Sequence, residues 1–123
     1  MRLAIVGAVY LDGNEEAARI IEEVLDRLNP AVVVSGGAKG IDTMAETAAI
    51  RRGIKTDIYR PERPGWATVD GKKGYAARNI EIADNCDYLV RIAWKKSKTY
   101  GSGFTRDKAS ARGVPTEEYM IDA

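Results

Sequence analysis

Histidine is absent from this 123-residue sequence, and Cys86 is its only cysteine. Without histidine, Ser-His-Asp and Cys-His catalytic sites and His-ligated metals are excluded. Any acid–base chemistry would then fall to Asp, Glu, Lys, Tyr or Cys. A lone cysteine cannot form an internal disulfide, which is typical of a reducing compartment, and the N-terminus lacks an apolar run long enough for a signal peptide or membrane span. We therefore expect a cytoplasmic protein that uses no metal and does not associate with a membrane.

The sequence also has little net charge and few aromatic residues. The net charge is +1 and aromatic residues make up 7% of the chain, so no global field attracts nucleic acid or anionic lipid, and such a partner would need a local patch. Hydrophobic residues at 45% and charged residues at 30% are typical of a soluble globular chain. The length suits one domain, which we expect to span residues 1–123.

Short apolar runs alternate with amphipathic segments along the chain. The apolar runs predict strands, and the three- and four-residue periods predict helices, the first of them with Asn14 as its N-cap. This alternation predicts an α/β fold: a three-layer, doubly wound, mostly parallel sheet of about five strands, Rossmann-like. The predicted strands are residues 3–6, 31–34, 54–59, 88–93 and 116–121, and the last predicted helix covers residues 105–112.

A glycine-rich segment, Ser35-Gly36-Gly37-Ala38-Lys39-Gly40, joins the second predicted strand to the next helix. We call residues 35–40 the first glycine segment. Its glycines permit positive φ and close approach of a ligand, and the helix that follows directs its N–H groups at the turn, as a phosphate prefers. The alternative is a tight turn that binds no ligand. Asp42 would either cap the helix or hold a ribose hydroxyl.

A second glycine segment, residues 101–105, carries Gly101, Ser102 and Gly103 ahead of the last predicted helix and Thr105 at its start. It predicts a second anion cradle, because ligands of such sheets bind beyond the carboxyl ends of the strands. Four segments should meet there: residues 7–10, 35–40, 60–74 and 94–105. Trp66 and Trp94 on these loops would stack on a base or cover the end of the core.

Two arginines stand in unusual positions. Arg78 at the start of a helix is unfavourable for the helix dipole and so predicts an anionic partner, either a ligand phosphate or a surface carboxylate. Arg91 interrupts an apolar strand, and we expect its guanidinium to reach a carboxylate or solvent.

Three motifs resemble the SLOG superfamily, the Rossmann-like group that includes the DNA-processing Smf proteins and the Lonely Guy phosphoribohydrolases. They are residues 36–42 with Ala45, then Ala77-Arg78-Asn79 ahead of residues 82–84, then the second glycine segment. Within the superfamily, the likeness is to small bacterial and phage members. The resemblance implies a nucleotide or nucleotide-derived ligand over the two glycine segments, and a homo-oligomer.

The chain also departs from the patterns of this superfamily. Gly7-Ala8-Val9 stands where small members carry Gly-Ser-Arg, which leaves backbone N–H groups for a phosphate. Aligning the glycines of the second segment with the Lonely Guy motif puts Asp107 at the position of the glutamate that acts on the glycosidic bond, whereas aligning Thr105 puts Lys108 there. Asp107 is therefore the candidate catalytic residue, and its shorter side chain argues against efficient hydrolysis.

These observations leave three functions and leave open whether the chain is an enzyme. The first, which we predict, is a nucleotide sensor or carrier that needs no further cofactor. The second is an N-glycoside or phosphoribosyl hydrolase acting through Asp107, Asp42 or Asp70. The third, single-stranded DNA binding, is disfavoured by near-neutral charge and few aromatics, and would use Lys72, Lys73, Lys95, Lys96 and Lys98 with Trp66 and Tyr100. The predicted ligand-binding residues are Gly7, Ser35, Gly36, Gly37, Ala38, Lys39, Gly40, Asp42, Arg78, Asn79, Gly101, Ser102, Gly103 and Thr105, with Trp66 and Trp94 for base stacking.

Overall fold

The computed structural model describes residues 1–97 and 101–122. Strands and helices alternate along this part of the chain, with a 3₁₀ turn at Val9–Leu11. The strands are β1 (Arg2–Gly7), β2 (Val32–Ser35), β3 (Lys55–Ile58), β4 (Tyr88–Trp94) and β5 (Thr116–Ile121). The helices are α1 (Glu15–Leu28), α2 (Ile41–Arg51), α3 (Tyr75–Asp84) and α4 (Gly101–Ala111).

The strands form one sheet in the order β3-β2-β1-β4-β5. Every pairing between neighbours is parallel, with Leu3 of β1 opposite both Val33 of β2 and Tyr88 of β4. The predicted Rossmann-like α/β class is therefore confirmed. The strand order reverses between β1 and β4, and this switch point is where doubly wound sheets place their ligands.

The central strands are apolar on both faces because helices cover both sides of the sheet. Alternate residues of β1 separate the two cores: Leu3 and Ile5 pack with α1 and α2, whereas Ala4 and Val6 pack on the side of α3 and α4. This division follows from the two-residue period of a strand. The result is a three-layer arrangement with helices on both faces.

Local signals set the ends of α1. The Asn14 side chain accepts a hydrogen bond of 2.9 Å from the Ala17 N–H, as expected of an N-cap. Glu15 and Glu16 lie in the first turn, where the helix dipole favours carboxylates. Asn29 ends the helix in the left-handed conformation with φ of 42°. The predicted N-cap is thus confirmed.

The start of α4 differs from the prediction. The helix begins at Gly101 rather than Thr105, so Gly101 and Ser102 lie in its first turn and not in a loop ahead of it. The Thr105 hydroxyl donates to the Gly101 carbonyl at 3.1 Å, a bond between neighbouring turns of one helix. Glycine spacing alone could not distinguish this helical turn from a loop, because glycine adopts both conformations.

The connection from β3 to α3 is long, as predicted, and closes onto the start of α3. The N–H groups of Tyr75 and Ala76 donate to the carbonyls of Gly65 and Trp66 at 2.8 and 3.1 Å. The loop therefore satisfies donors that a helix start leaves without intrahelical partners. No helix among the described residues has the length and apolar character needed to cross a membrane.

Candidate functional site

A cleft of about 1340 Å³ opens at the carboxyl ends of the strands, over the switch point between β1 and β4. The four segments expected to meet at this edge all contribute to its walls. The predicted site residues that line it are Gly7, Gly36, Gly37, Ala38, Asp42, Trp66, Arg78, Asn79, Trp94, Gly101, Ser102 and Thr105. Ser35, Lys39, Gly40, Gly103 and Asp107 are not part of its lining.

The first glycine segment makes room for two arginine side chains. A Cβ at Gly36 would lie 2.7 Å from Nη1 of Arg78, and a Cβ at Gly37 would lie 2.5 Å from Nη1 of Arg60. Gly37 also has φ of +70°, which side-chain-bearing residues rarely adopt. The two glycines therefore let guanidinium groups lie directly against the backbone of the turn.

Arg78 joins the first glycine segment to α3. Its Nη1 donates to the Gly36 carbonyl at 2.5 Å, and its Nε donates to the Asn79 side-chain oxygen at 2.8 Å. The residue is buried, the Tyr75 ring lies 5.7 Å from its guanidinium carbon, and burial lowers the pKa of Arg78. The charge of Asp42 acts in the opposite direction and favours the charged form of Arg78, and a ligand phosphate as its partner stays a prediction.

Asp42 occupies the inner side of the same turn. Its Oδ2 accepts a hydrogen bond of 3.2 Å from the Ala38 N–H, so the carboxylate binds the turn that precedes α2. The helix N-cap is Gly40, which has no side chain to serve as a cap. Burial raises the pKa of Asp42 to about 7, against the opposing effects of the Ala38 N–H and of Arg78.

Other residues of the first glycine segment pack the turn onto the fold. The buried Ser35 hydroxyl donates to Oε2 of Glu46 at 2.5 Å and accepts from the Gly37 N–H at 3.3 Å. Gly40 has φ of +91°, and a Cβ there would lie 2.5 Å from the Ala8 carbonyl oxygen. Gly7 similarly leaves space for the backbone of Ile92. These positions require close packing of the backbone whether or not a ligand binds.

The second glycine segment is tied to α3 and to β4. The Asn79 amide donates to the Gly101 carbonyl at 3.3 Å, and Nε of Arg91 donates to the Ser102 hydroxyl at 2.9 Å. Arg91 also pairs with Glu118 at 2.6 Å, so it reaches a carboxylate as expected. These bonds fix the start of α4 beside the cleft.

Aromatic side chains form much of the cleft wall. Tyr10 stacks on Trp94 with ring centroids 4.1 Å apart, and Trp66 meets Phe104 edge to face at 4.9 Å. Tyr75 is the fifth aromatic residue of the lining, in a chain with only nine aromatics in total, six Tyr, two Trp and one Phe. Tyr10 and Trp66 are 63% and 44% exposed as residues, so part of each side chain is accessible to a ligand.

Sequence reasoning assigned no binding role to Tyr10, Arg60, Tyr75 or Phe104, all of which line the cleft. Their shared signal is position: each lies within a few residues of the carboxyl end of a strand or at the amino end of a helix. In a parallel sheet these positions meet at one edge. That rule predicted the convergence of the segments but not which side chains line the cleft.

Asp107 lies on α4 outside the cleft, where its Oδ1 pairs with Arg106 at 2.8 Å. This location separates it from the predicted binding residues. Lys72, Lys73, Lys95 and Lys96 are exposed and lie outside the cleft lining. Lys98 and Tyr100 fall outside the described residues.

Three comparisons relate the chain to proteins of DNA processing. The model of the family described as DNA recombination-mediator protein A matches residues 1–58. DNA processing protein DprA from Streptococcus pneumoniae (strain ATCC BAA-255 / R6) is 37% identical over 70 residues, which cover 50% of this chain and 24% of that protein.

Two solved structures extend the likeness over nearly the whole chain. The X-ray structure of DprA from Streptococcus pneumoniae superposes with a TM-score of 0.70 at 26% identity, covering 99% of this chain and 50% of that one. DNA processing protein A from Helicobacter pylori superposes with a TM-score of 0.69 at 20% identity, covering 96% of this chain and 64% of that one. The chain has a DprA-related, SLOG-like Rossmann fold. It spans a quarter to under two thirds of the length of these proteins.

These comparisons correct the predicted function and partner. The matched family and relative act on DNA by name, and the Helicobacter pylori structure describes a single-stranded DNA binding mode of that protein. A nucleotide sensor, a nucleotide hydrolase and a small-molecule nucleotide partner were therefore the wrong expectations, and nucleic acid was wrongly disfavoured. The physical reason is that the net charge and the aromatic content of the whole chain contain no information on where arginine and aromatic side chains cluster in the fold.

Proposed function

We propose that this chain binds single-stranded DNA in the cleft at the carboxyl edge of its sheet. The observation that carries the proposal is the joint presence of five aromatic rings and three arginines, Arg60, Arg78 and Arg91, in one concave surface. Aromatic faces that stack on bases, combined with cations that attract the backbone, are how proteins hold single strands without reading their sequence.

The near-neutral net charge is compatible with this role because the charge around the cleft is uneven. Three arginines line it, whereas Asp42 is the single acidic residue among the described residues of the lining. Asp42 is buried, and its carboxylate is held by the Ala38 N–H. Arg60 is exposed and, among the described residues, its side chain has only a weak bond of 3.4 Å to the Gly37 carbonyl, so its guanidinium can turn to a phosphate.

A single strand fits the cleft better than a duplex. Two partly exposed rings are held by contacts with different elements: Tyr10 stacks on Trp94 of β4, and Trp66 contacts Phe104 of α4. A base must be unstacked and unpaired to lie against such a ring, which a single strand permits and a duplex opposes. The single-stranded DNA binding of the Helicobacter pylori relative supports the same choice.

Fluorescence anisotropy with labelled single-stranded and duplex oligonucleotides tests the proposal. We expect the single strand to bind more tightly at low salt, and its affinity to fall as salt rises because phosphate contacts release counterions. Trp66→Ala should weaken binding by about fivefold or more through lost stacking. Met120→Ala is the matched control, since Met120 is 48% exposed and lies on β5 outside the cleft.

Arg60→Ala should weaken binding and make it less sensitive to salt, by about 0.7 in the slope for one lost phosphate contact. Lys55→Ala is its matched control, because Lys55 is exposed and lies at the amino end of β3, whereas the cleft lies at the carboxyl ends of the strands. If the single strand does not bind at low salt, or if the cleft variants bind as tightly as the controls, the proposal is wrong.

Self-association and a cytoplasmic location stay predictions. Light scattering during size-exclusion chromatography, with and without an oligonucleotide, would measure the first directly. A mass equal to one chain under both conditions would contradict it.

A further inference from the structure

We infer that binding of an anionic strand in the cleft is coupled to uptake of a proton by the Asp42 carboxyl group. The inference rests on the proposed function and concerns how the same cleft is regulated. Asp42 lines the cleft beside Gly36, Gly37 and Ala38. A phosphate that approaches this turn would therefore come close to a carboxylate already placed there.

The geometry makes Asp42 a competitor for the donors of the turn. Its Oδ2 accepts from the Ala38 N–H at 3.2 Å, and the Gly36 N–H also acts on the carboxylate. These amides belong to the segment in which an incoming oxyanion would find its backbone donors. A protonated Asp42 holds such donors less strongly than a carboxylate and can itself donate to an oxyanion.

The positive charges nearest to Asp42 are engaged by other groups of the protein. Arg78 approaches from α3, but its Nη1 is engaged by the Gly36 carbonyl at 2.5 Å. Glu46 on the same helix adds a carboxylate that acts against ionisation of Asp42. Arg60, from the connection between β3 and α3, lies on the other side of the turn against Gly37. The strand's negative charge would then favour the protonated carboxyl.

The composition of the chain makes this coupling measurable. Burial raises the pKa of Asp42 to about 7, into the range where a histidine would ordinarily titrate. The sequence has no histidine, and burial raises the pKa of the Cys86 thiol to about 11. Between about pH 6 and pH 8.5, Asp42 therefore has few competitors as a source of proton linkage.

The test measures oligonucleotide affinity by anisotropy from about pH 6 to pH 8.5 at constant ionic strength, where one proton can change Kd by up to about tenfold per pH unit. We expect Kd to rise about three- to tenfold between the two ends of this range. Asp42→Asn should remove the dependence. Asp84→Asn should retain it, because Asp84 pairs with Arg112 at the other end of the sheet and lies outside the cleft.

Calorimetry of the unaltered protein, in buffers of different ionisation enthalpy near pH 7.5, counts the protons without any variant. Uptake of a fraction of a proton upon binding supports the inference, and zero uptake overturns it. A wild-type Kd that is constant with pH, or an Asp42→Asn variant that folds and keeps the dependence, also overturns it. Failure to bind the strand at every pH instead rejects the proposed function, so the two failures are distinguishable.

Discussion

The two glycine segments look alike in the sequence but are built differently. In the first, Gly37 and Gly40 have positive φ, and added Cβ atoms would meet Arg60 and the backbone of Ala8 within 2.5 Å. In the second, Gly101 lies in the first described turn of α4, and a Cβ there would meet no atom of the described residues within 4 Å. Glycine is thus required by the first segment for conformation and close packing, whereas Gly101 of the second segment lies in a helix with open space around it.

Substitution of the glycines gives the largest expected difference between the two segments. Gly40→Val should lower the free energy of unfolding by about 3 kcal/mol or more, because the backbone is left-handed and the new side chain meets backbone atoms that cannot move aside. Urea denaturation measures the change. A variant with unchanged stability would mean that the turn has a different conformation from the one described.

Asp42 should make the stability of the first segment depend on pH. Its pKa is raised from the model-peptide value of 3.8 to about 7, so the native state binds this proton more tightly than the unfolded state. The stabilising contribution is therefore complete below the unfolded pKa of 3.8 and is lost progressively as pH rises from there through about 7. At about pH 8, Asp42→Asn should raise the free energy of unfolding by about 2 to 4 kcal/mol.

The same variant should differ little from wild type near pH 4, because the carboxyl group is then protonated in the native state. Asp107→Asn, beside the second segment, is the comparison: Asp107 is 48% exposed and pairs with Arg106, so its loss should change stability by about 0.5 kcal/mol or less. Urea denaturation of both variants and of the wild type at the two pH values measures these differences in the free energy of unfolding. An Asp42→Asn variant destabilised equally at both would show that ionisation of Asp42 costs the fold nothing.

Removal of a hydroxyl should also affect the first segment more. Ser35→Ala leaves the buried Glu46 carboxyl without its 2.5 Å donor, at an expected loss of about 1 to 3 kcal/mol. Thr105→Val removes a 3.1 Å bond to a carbonyl that also accepts from Asn79, at about 1 kcal/mol. Thermal or urea unfolding of both variants would rank them, and the reverse order would contradict the comparison.

The smallest effect is expected at Gly101. Gly101→Ala should leave the fold intact and stabilise it by up to about 1 kcal/mol, because alanine loses less conformational freedom in a helix than glycine. The measurement is again urea denaturation. A loss of stability would show that the first turn of α4 needs the freedom of glycine, as the loop interpretation assumed.

The order of the elements was predictable because its signals are local. Apolar runs at β1 and β2, the Asn14 cap and the periods of the helices each act within a few residues. The beginning of α4 was not predictable from such signals, since Gly101 and Gly103 are compatible with both a loop and a helix. The helical turn depends on contacts of residues distant in sequence, such as Asn79 with the Gly101 carbonyl.

The candidate site was only partly predictable for the same reason. Its segments were expected to meet, because the carboxyl ends of parallel strands share one edge. The contents of the cleft were not, since Arg78 meets Gly36 across 42 positions of sequence and Tyr10 meets Trp94 across an even longer separation. The low aromatic content of the sequence gave no indication that five aromatic side chains would line one cleft.

The sequence by itself determined the Rossmann-like alternation of strands and helices and the absence of histidine chemistry, because both depend on residue type and local spacing. Only the tertiary structure decided that arginine side chains lie against Gly36 and Gly37, that Asp42 is buried against the backbone of the turn, and that five of the nine aromatic residues line the cleft. Burial and proximity are properties of packed surfaces, and packing joins residues that no local pattern relates.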